Sequence, residues 1–408
     1  MSVIGIHKNQ RAPHRGKYAF HSVLSLEGAA RAYADISACP IYQRTPLVKL
    51  DGIARRARVG RVFYKDESSR FGLGSFKALG GAYAVARVLC DRLRQVLEKD
   101  ITIADLARGV YREHTNQVTV TCATDGNHGR AVAAGARVFG CRCVVFLHAG
   151  VSAERERAIA SYGAQIVRVQ GSYDDSVRAA QRAADAEGWT VVSDTSWPGY
   201  EAIPSIVMQG YTVMLREILE QLRESGEAAP THVFVQAGVG GLAAAVVAHL
   251  WEELGAAAPI FVIVEPERAA CLFASAEAGR PTAVHGELDT IMAGLACGEV
   301  SEVAWRILAA ASDYFVTINE ESAVEGMRLL AAGENGDPNI VAGESATAGL
   351  AALLAIAEDP RHERLRQEMR LDQHARVLLF GTEGATDPEL YQRLVGKPAQ
   401  NPLPELPT

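Results

Sequence analysis

The chain has no Cys-x-x-Cys pair; its seven cysteines stand scattered at 39, 90, 122, 141, 143, 271 and 297. That spacing argues against a structural zinc site. An odd, dispersed set of thiols suits a reducing compartment, so the cysteines are expected to be mostly reduced; a bridge between Cys271 and Cys297 stays open. No apolar run approaches the roughly 20 residues needed to cross a bilayer. The opening MSVIGIHKNQRAPHRGKYAF lacks the apolar core of a secretory signal. Positive charge is not in surplus: 41 Lys and Arg face 48 Asp and Glu, a net of −7, which argues against nonspecific nucleic-acid binding. Repeats and long low-complexity linkers are missing as well, and only the Pro-rich end KPAQNPLPELPT reads as frayed. The expectation is a cytoplasmic protein with no membrane and no nucleic-acid partner.

With 408 residues the chain can bury a large core in about two domains. Short β-branched runs alternate with amphipathic helical ones. RVFYKDE (61–67), QVTVTCAT (117–124), RCVVFLH (142–148), AQIVRVQ (164–170), WTVVSD (189–194), HVFVQAG (232–238), IFVIVEP (260–266), YFVTI (314–318) and RVLLFGT (376–382) predict buried parallel strands. AERERAIASYG (153–163) and YDDSVRAAQRAADAEG (173–188) predict helices between them. The order is that of an α/β protein with doubly wound sheets, whose sites lie at the carboxyl ends of strands.

Two segments stand at such ends. In QAGVGGLAAAVVAHL (236–250) a strand runs through glycines into an Ala-rich helix. Such a turn offers backbone N–H groups and a helix N-terminus to a phosphate, though a glycine turn can also be merely structural. Gly238, Gly240 and Ala243 match G-x-G-x-x-A, and Glu265 ends the next strand roughly 20–25 residues on, where a ribose-binding acid is expected. A nicotinamide-dependent dehydrogenase is therefore one reading.

The other segment is SSRFGLGSFKALGG (68–81). Ser75 is a good N-cap and the following apolar spacing is helical, so Lys77 falls in the first turn. The helix dipole and partial burial should lower its pKa and make its amine a nucleophile. A snorkelling lysine is the plainer alternative. An amine nucleophile together with a phosphate cradle suits pyridoxal phosphate.

SFKALGG, ATDGNHG (123–129) and GVGGL, in that order, resemble the motifs of the fold type II pyridoxal-phosphate enzymes: threonine and serine dehydratases, threonine synthase, cysteine synthase and tryptophan synthase β. The resemblance spans about residues 40–390. It implies two doubly wound, mostly parallel three-layer αβα domains with pyridoxal 5'-phosphate in the cleft between them. A large domain would comprise 1–87 and 191–408, and a smaller mobile one 88–190. A homodimer and a small amino-acid substrate are also implied.

Dehydratases usually carry serine where this chain has Asp125. An aspartate there would repel a substrate carboxylate unless the substrate brings a second cationic group. Asp194, in SDTSWPGY, supplies a second acid; its plainer reading is a turn or cap residue. With KDESSRFGLGSFKALGG and FGTEGATDP, these segments resemble the diaminopropionate ammonia-lyases. Members of that branch turn both enantiomers of 2,3-diaminopropionate, with water, into pyruvate and two ammonia molecules. A serine or threonine dehydratase-type lyase is the alternative within the same fold, and a catalytically silent binding protein on that scaffold a further one.

The resemblance implies roles residue by residue. Lys77 would hold the cofactor and take the Cα proton of the L-isomer, and Asp125 that of the D-isomer. Asp194, with Asp125, would bind the β-amine and manage its proton. Phe76 would pack near the ring, Asn127 would bond its phenolic oxygen, and Thr382 would face its pyridine nitrogen. Gly238, Val239, Gly240, Gly241 and Leu242 would hold its phosphate. Glu344, in VAGESATAGL, would lie near the ring or cap a helix. Thr124, Gly126 and His128 would line the substrate turn, His128 more as a packing or capping residue than as a catalyst. No metal is expected.

Overall fold

A computed structural model of the chain describes residues 1–12, 16–124, 126–286 and 288–399. In chain order the strands are β1 (Val3–Lys8), β2 (Leu47–Lys49), β3 (Arg61–Asp66), β4 (Thr119–Thr124), β5 (Arg142–His148), β6 (Gln165–Val169), β7 (Thr190–Val191), β8 (His232–Gln236), β9 (Ile260–Pro266), β10 (Tyr314–Ile318) and β11 (Arg376–Gly381). They form a seven-stranded sheet ordered β1-β10-β9-β8-β11-β3-β2 and a four-stranded sheet ordered β6-β5-β4-β7. The α/β architecture and its parallel strands are as the sequence predicts. The two antiparallel edges, β1 on β10 and β2 on β3, carry no strong sequence signal: β2 is three residues long and β1, VIGIHK, shows no apolar–polar alternation.

Both faces of the larger sheet are covered, which is why its strands read as unbroken apolar runs. Val62, Tyr64, Phe234, Val262 and Val264 point into one core with the helix Ala348–Glu358, apolar up to its last residue. Phe63, Val233, Val235, Phe261, Ile263, Leu378 and Phe380 alternate to the opposite core, as a period of two requires. Among the described residues no helix is long and apolar enough to cross a membrane.

The helix Lys77–Leu97 packs on helix Asn127–Phe139, which lies against β4 and β5, and on helix Ala202–Glu224. Small residues let the backbones approach. A methyl group at Gly210 would lie 2.0 Å from the carbonyl oxygen of Leu79, so no larger residue fits there.

The segment from β3 to Lys77 is anchored by a buried ionic network. Lys65, Glu67, Arg70 and Glu217 are each 1% exposed or less. Lys65 Nζ donates to Glu217 Oε2 at 2.6 Å, and Arg70 reaches Glu67 Oε2 at 2.8 Å and Glu217 Oε2 at 2.8 Å. Thr45 Oγ1 donates to Glu67 Oε1 at 2.6 Å. Every charge is matched, which is the condition for burying it.

Candidate active site

Three neighbouring parallel strands, β3, β11 and β8, end at one place. After β3 the chain reaches Phe76 and Lys77; after β11 it reaches Thr382; after β8 it makes the 238–242 turn. From the smaller sheet, β4 and β7 are also neighbours, and they deliver Thr124–His128 and Asp194. Phe76, Lys77, Thr124, Asn127, His128, Asp194, the residues 238–242 and Thr382 all line one cavity between the sheets. Asp125 lies outside the described residues.

Lys77 is the first residue of its helix, as predicted, but Ser75 is not the cap. Ser75 is buried in an isolated antiparallel bridge with Glu383, and Phe76 precedes the helix without a capping side chain. The Lys77 ammonium lies 5.4 Å above the Phe76 ring and forms an ion pair with Asp194 Oδ2. Burial pulls the pKa of Lys77 down, yet the Asp194 carboxylate, with Tyr211 and Cys297, outweighs it and the net shift is upward. The lowered pKa expected from the helix dipole and burial is thus overturned by a charge 117 residues away.

Asp194 lies three residues past the end of β7 rather than inside a strand. Burial pushes its carboxyl up, but the imidazole of His128 and the Lys77 ammonium more than compensate and hold it below the usual range. Tyr173 donates its hydroxyl to Asp194 Oδ1 at 3.1 Å. His128 Nδ1 lies 3.9 Å from Asp194 Oδ2, while Nε2 lies 2.8 Å from the carbonyl of Val192. A carbonyl can only accept, so Nε2 carries a proton.

Thr124 Oγ1 accepts from Gly126 N and Gly129 N, both at 2.9 Å, and so builds the turn. Gly126, at φ 142°, adopts a conformation open to glycine. Asn127 donates to Glu383 Oε2 at 2.5 Å, and Glu383 Oε1 accepts from Ser345 N at 3.2 Å. Glu344 does not line the cavity; it pairs with Arg155 at 2.5 Å and makes no side-chain cap. Thr382 Oγ1 accepts from Gln236 Nε2 at 2.9 Å.

The motifs gave no role to Arg155, Tyr173, Tyr211, Gln236, Cys297, Ser345 or Glu383, which also line the cavity. Tyr211 packs on Phe76 at 4.7 Å between ring centroids. All seven cysteines are free thiols, Cys271 and Cys297 included. Glu265, the candidate ribose acid, instead accepts from Leu272 N at 2.8 Å and Phe273 N at 2.7 Å. It caps helix Cys271–Ala278, and the dehydrogenase reading loses its second element.

The cavity suits a phosphorylated aldehyde. The backbone N–H groups of 238–243 find no acceptor among the described residues, and Gly240, at φ 102°, turns the chain so that they precede a helix. Ser345 Oγ, buried on the same wall, also has no partner among the described residues. An amine, Lys77, stands in the same cavity. These are the groups that would hold pyridoxal phosphate.

Residues 39–368 match the family model described as pyridoxal-phosphate dependent enzyme. The diaminopropionate ammonia-lyase of Salmonella typhimurium is 38% identical over 394 residues, covering 95% of this chain and 97% of that protein. The enzyme of the same name from Escherichia coli K12 is 40% identical over 363 residues, covering 88% and 90%. A crystal structure of the Escherichia coli enzyme, in complex with an aminoacrylate-PLP azomethine reaction intermediate, superposes with a TM-score of 0.87 at 37% identity, covering 97% of both chains.

Proposed function

The chain belongs to the pyridoxal-phosphate dependent enzymes and, within them, to the diaminopropionate ammonia-lyases, and on that premise we propose that it converts D- and L-2,3-diaminopropionate, with water, into pyruvate and two ammonia molecules. The observation that carries this reading is the part-buried Lys77–Asp194 ion pair.

When bound, pyridoxal phosphate supplies an electron sink for the pair left at Cα once a proton is removed. The N–H groups of 238–242 would hold its phosphate, Lys77 its aldehyde carbon, Asn127 its phenolic oxygen and Thr382 its ring nitrogen. Phe76 would pack near the ring. The Thr382 oxygen already accepts from Gln236, so its own proton is free to be donated.

Asp194 is buried and needs a cation beside it. A substrate with a β-ammonium provides one when the Lys77 amine is engaged elsewhere; the β-hydroxyl of serine or threonine does not. Freed of its proton, Lys77 Nζ is the base for the Cα proton of the L-isomer, and Asp125 for that of the D-isomer. Asp194 keeps the β-amine protonated, so that ammonia departs as a neutral molecule. Thr124, Gly126 and His128 shape the turn that takes the substrate carboxylate. The smaller unit, taken as 88–190, moves against 1–87 and 191–408 to exclude water. The protein works as a cytoplasmic homodimer.

The test is pyruvate release by the loaded protein with D- and L-diaminopropionate, serine and threonine side by side. Preference for diaminopropionate supports the reading. Preference for serine or threonine would make the protein a dehydratase.

A further inference from the structure

Arg155 is buried to all but 8% of its surface and lies on the cavity wall. It belongs to helix Ala153–Ala160, whose first turn is capped when Arg155 N donates to Ser152 Oγ at 3.4 Å. Its side chain crosses Gly126, where a methyl group would stand 3.0 Å from Arg155 Cδ. Beyond Gly126 its guanidinium reaches Glu344 Oε1 at 2.5 Å, on the larger unit. A second link runs in parallel, Asn127 to Glu383 at 2.5 Å, and Ser345 N ties Glu383 back to the neighbour of Glu344. Gly126 and Asn127 are consecutive: the first is the N-cap of helix Asn127–Phe139 and the second opens it. One is covered by Arg155 and the other is bonded to a carboxylate of the larger unit.

We propose that Arg155 is a positioning residue: through Glu344 it clasps the smaller unit onto the larger and holds the Gly126–Asn127 turn in the shape that receives the substrate carboxylate. Its guanidinium bonds Glu344, and its effect on the substrate runs through the turn that this bond holds. This rests on the ammonia-lyase reading for the identity of the substrate, but not for the clasp itself.

The experiment uses the cofactor-loaded protein and the variants Arg155→Met, Arg155→Lys and Glu344→Gln. Kinetics with L-2,3-diaminopropionate are measured together with amide hydrogen exchange and the cofactor absorbance band. In Arg155→Met, kcat/KM falls about 10²-fold, the cost of a small misplacement of reacting groups, carried mainly by KM. Amides at 126–130 exchange faster, the cofactor band is unchanged, and Arg155→Lys recovers part of the loss. Glu344→Gln, which preserves shape, moves KM and the same amides in the same direction. Unchanged exchange at 126–130 in Glu344→Gln with its cofactor band intact overturns the clasp. So does faster exchange spread evenly over the chain, which marks a structural role alone. Wild-type protein that releases no pyruvate from diaminopropionate overturns the substrate assignment, while the exchange pattern still decides the clasp.

Discussion

Gln236 Nε2 lies 2.8 Å from the carbonyl oxygen of Phe380 and 2.9 Å from Thr382 Oγ1. The carbonyl fixes which end of the amide faces β11, because an amide oxygen there would repel it. Thr382 Oγ1 is therefore an acceptor toward Gln236 and a donor in some other direction.

Replacing Gln236 by Leu removes both bonds from a site that is 1% exposed. The expected loss of stability is about 1–3 kcal/mol, read as a lower urea midpoint with an unchanged slope. The same variant should release pyridoxal phosphate more readily, because the Thr382 hydroxyl is then free to rotate. Equilibrium dialysis of the loaded protein measures that.

Asp194→Asn should keep the fold and lose the chemistry. Pyruvate release is expected to fall about 10²–10⁴-fold, the range for a lost acid–base group, and a steady-state assay reads it directly. Asp194 also makes stability depend on pH. Its folded pKa is depressed below 3.8, chiefly by His128 and Lys77 acting against burial. The stability it contributes is thus present above 3.8 and lost as pH falls through the depressed value. Acid unfolding followed by circular dichroism should show a shallower pH dependence in the variant than in wild type.

Glu344 behaves in the opposite sense. Burial and the neighbouring Glu383 carboxylate raise its pKa from 4.5 to about 7, against the pull of Arg155; Asp387 also acts on the Arg155 charge. Between 4.5 and about 7 the folded chain keeps a proton that the unfolded chain has released. The contribution of this group to stability is complete below 4.5 and is lost as pH rises through about 7. Urea titrations of wild type and Glu344→Gln should therefore shift in favour of the variant with rising pH, by at most about 1.4 kcal/mol per pH unit.

What could be read in the sequence and what could not divides along chain distance. Lys77, the 238–242 turn and Thr382 each follow a β-branched run, and the rule that sites gather at strand ends brings them together. Asp194 was legible as an acid, but its pairing with Lys77 spans 117 positions. No local term reports that charge, so the sign of the Lys77 shift came out reversed. Tyr173 and Tyr211 sit within helices where an aromatic residue reads as core, and Arg155 in a first helical turn where it reads as solvent-facing. Glu383 stands in FGTEGATDP with no motif of its own; only the fold shows that it bonds Asn127. Glu265 matched a fingerprint by spacing alone, and its backbone partners in the next helix are what assign it.

The network of Lys65, Glu67, Arg70 and Glu217 constrains how such a chain can change over generations. Its two cations and two anions balance in a space that admits no water-facing side chain. Losing one member strands a buried charge at a cost of about 3–5 kcal/mol, whereas exchanging matched members for hydrocarbon of equal volume can be neutral. A large part of a typical stability margin would be spent on the first step. Drift at these four positions must therefore arrive in concert, and a lineage that has lost one should show compensating replacements at the others.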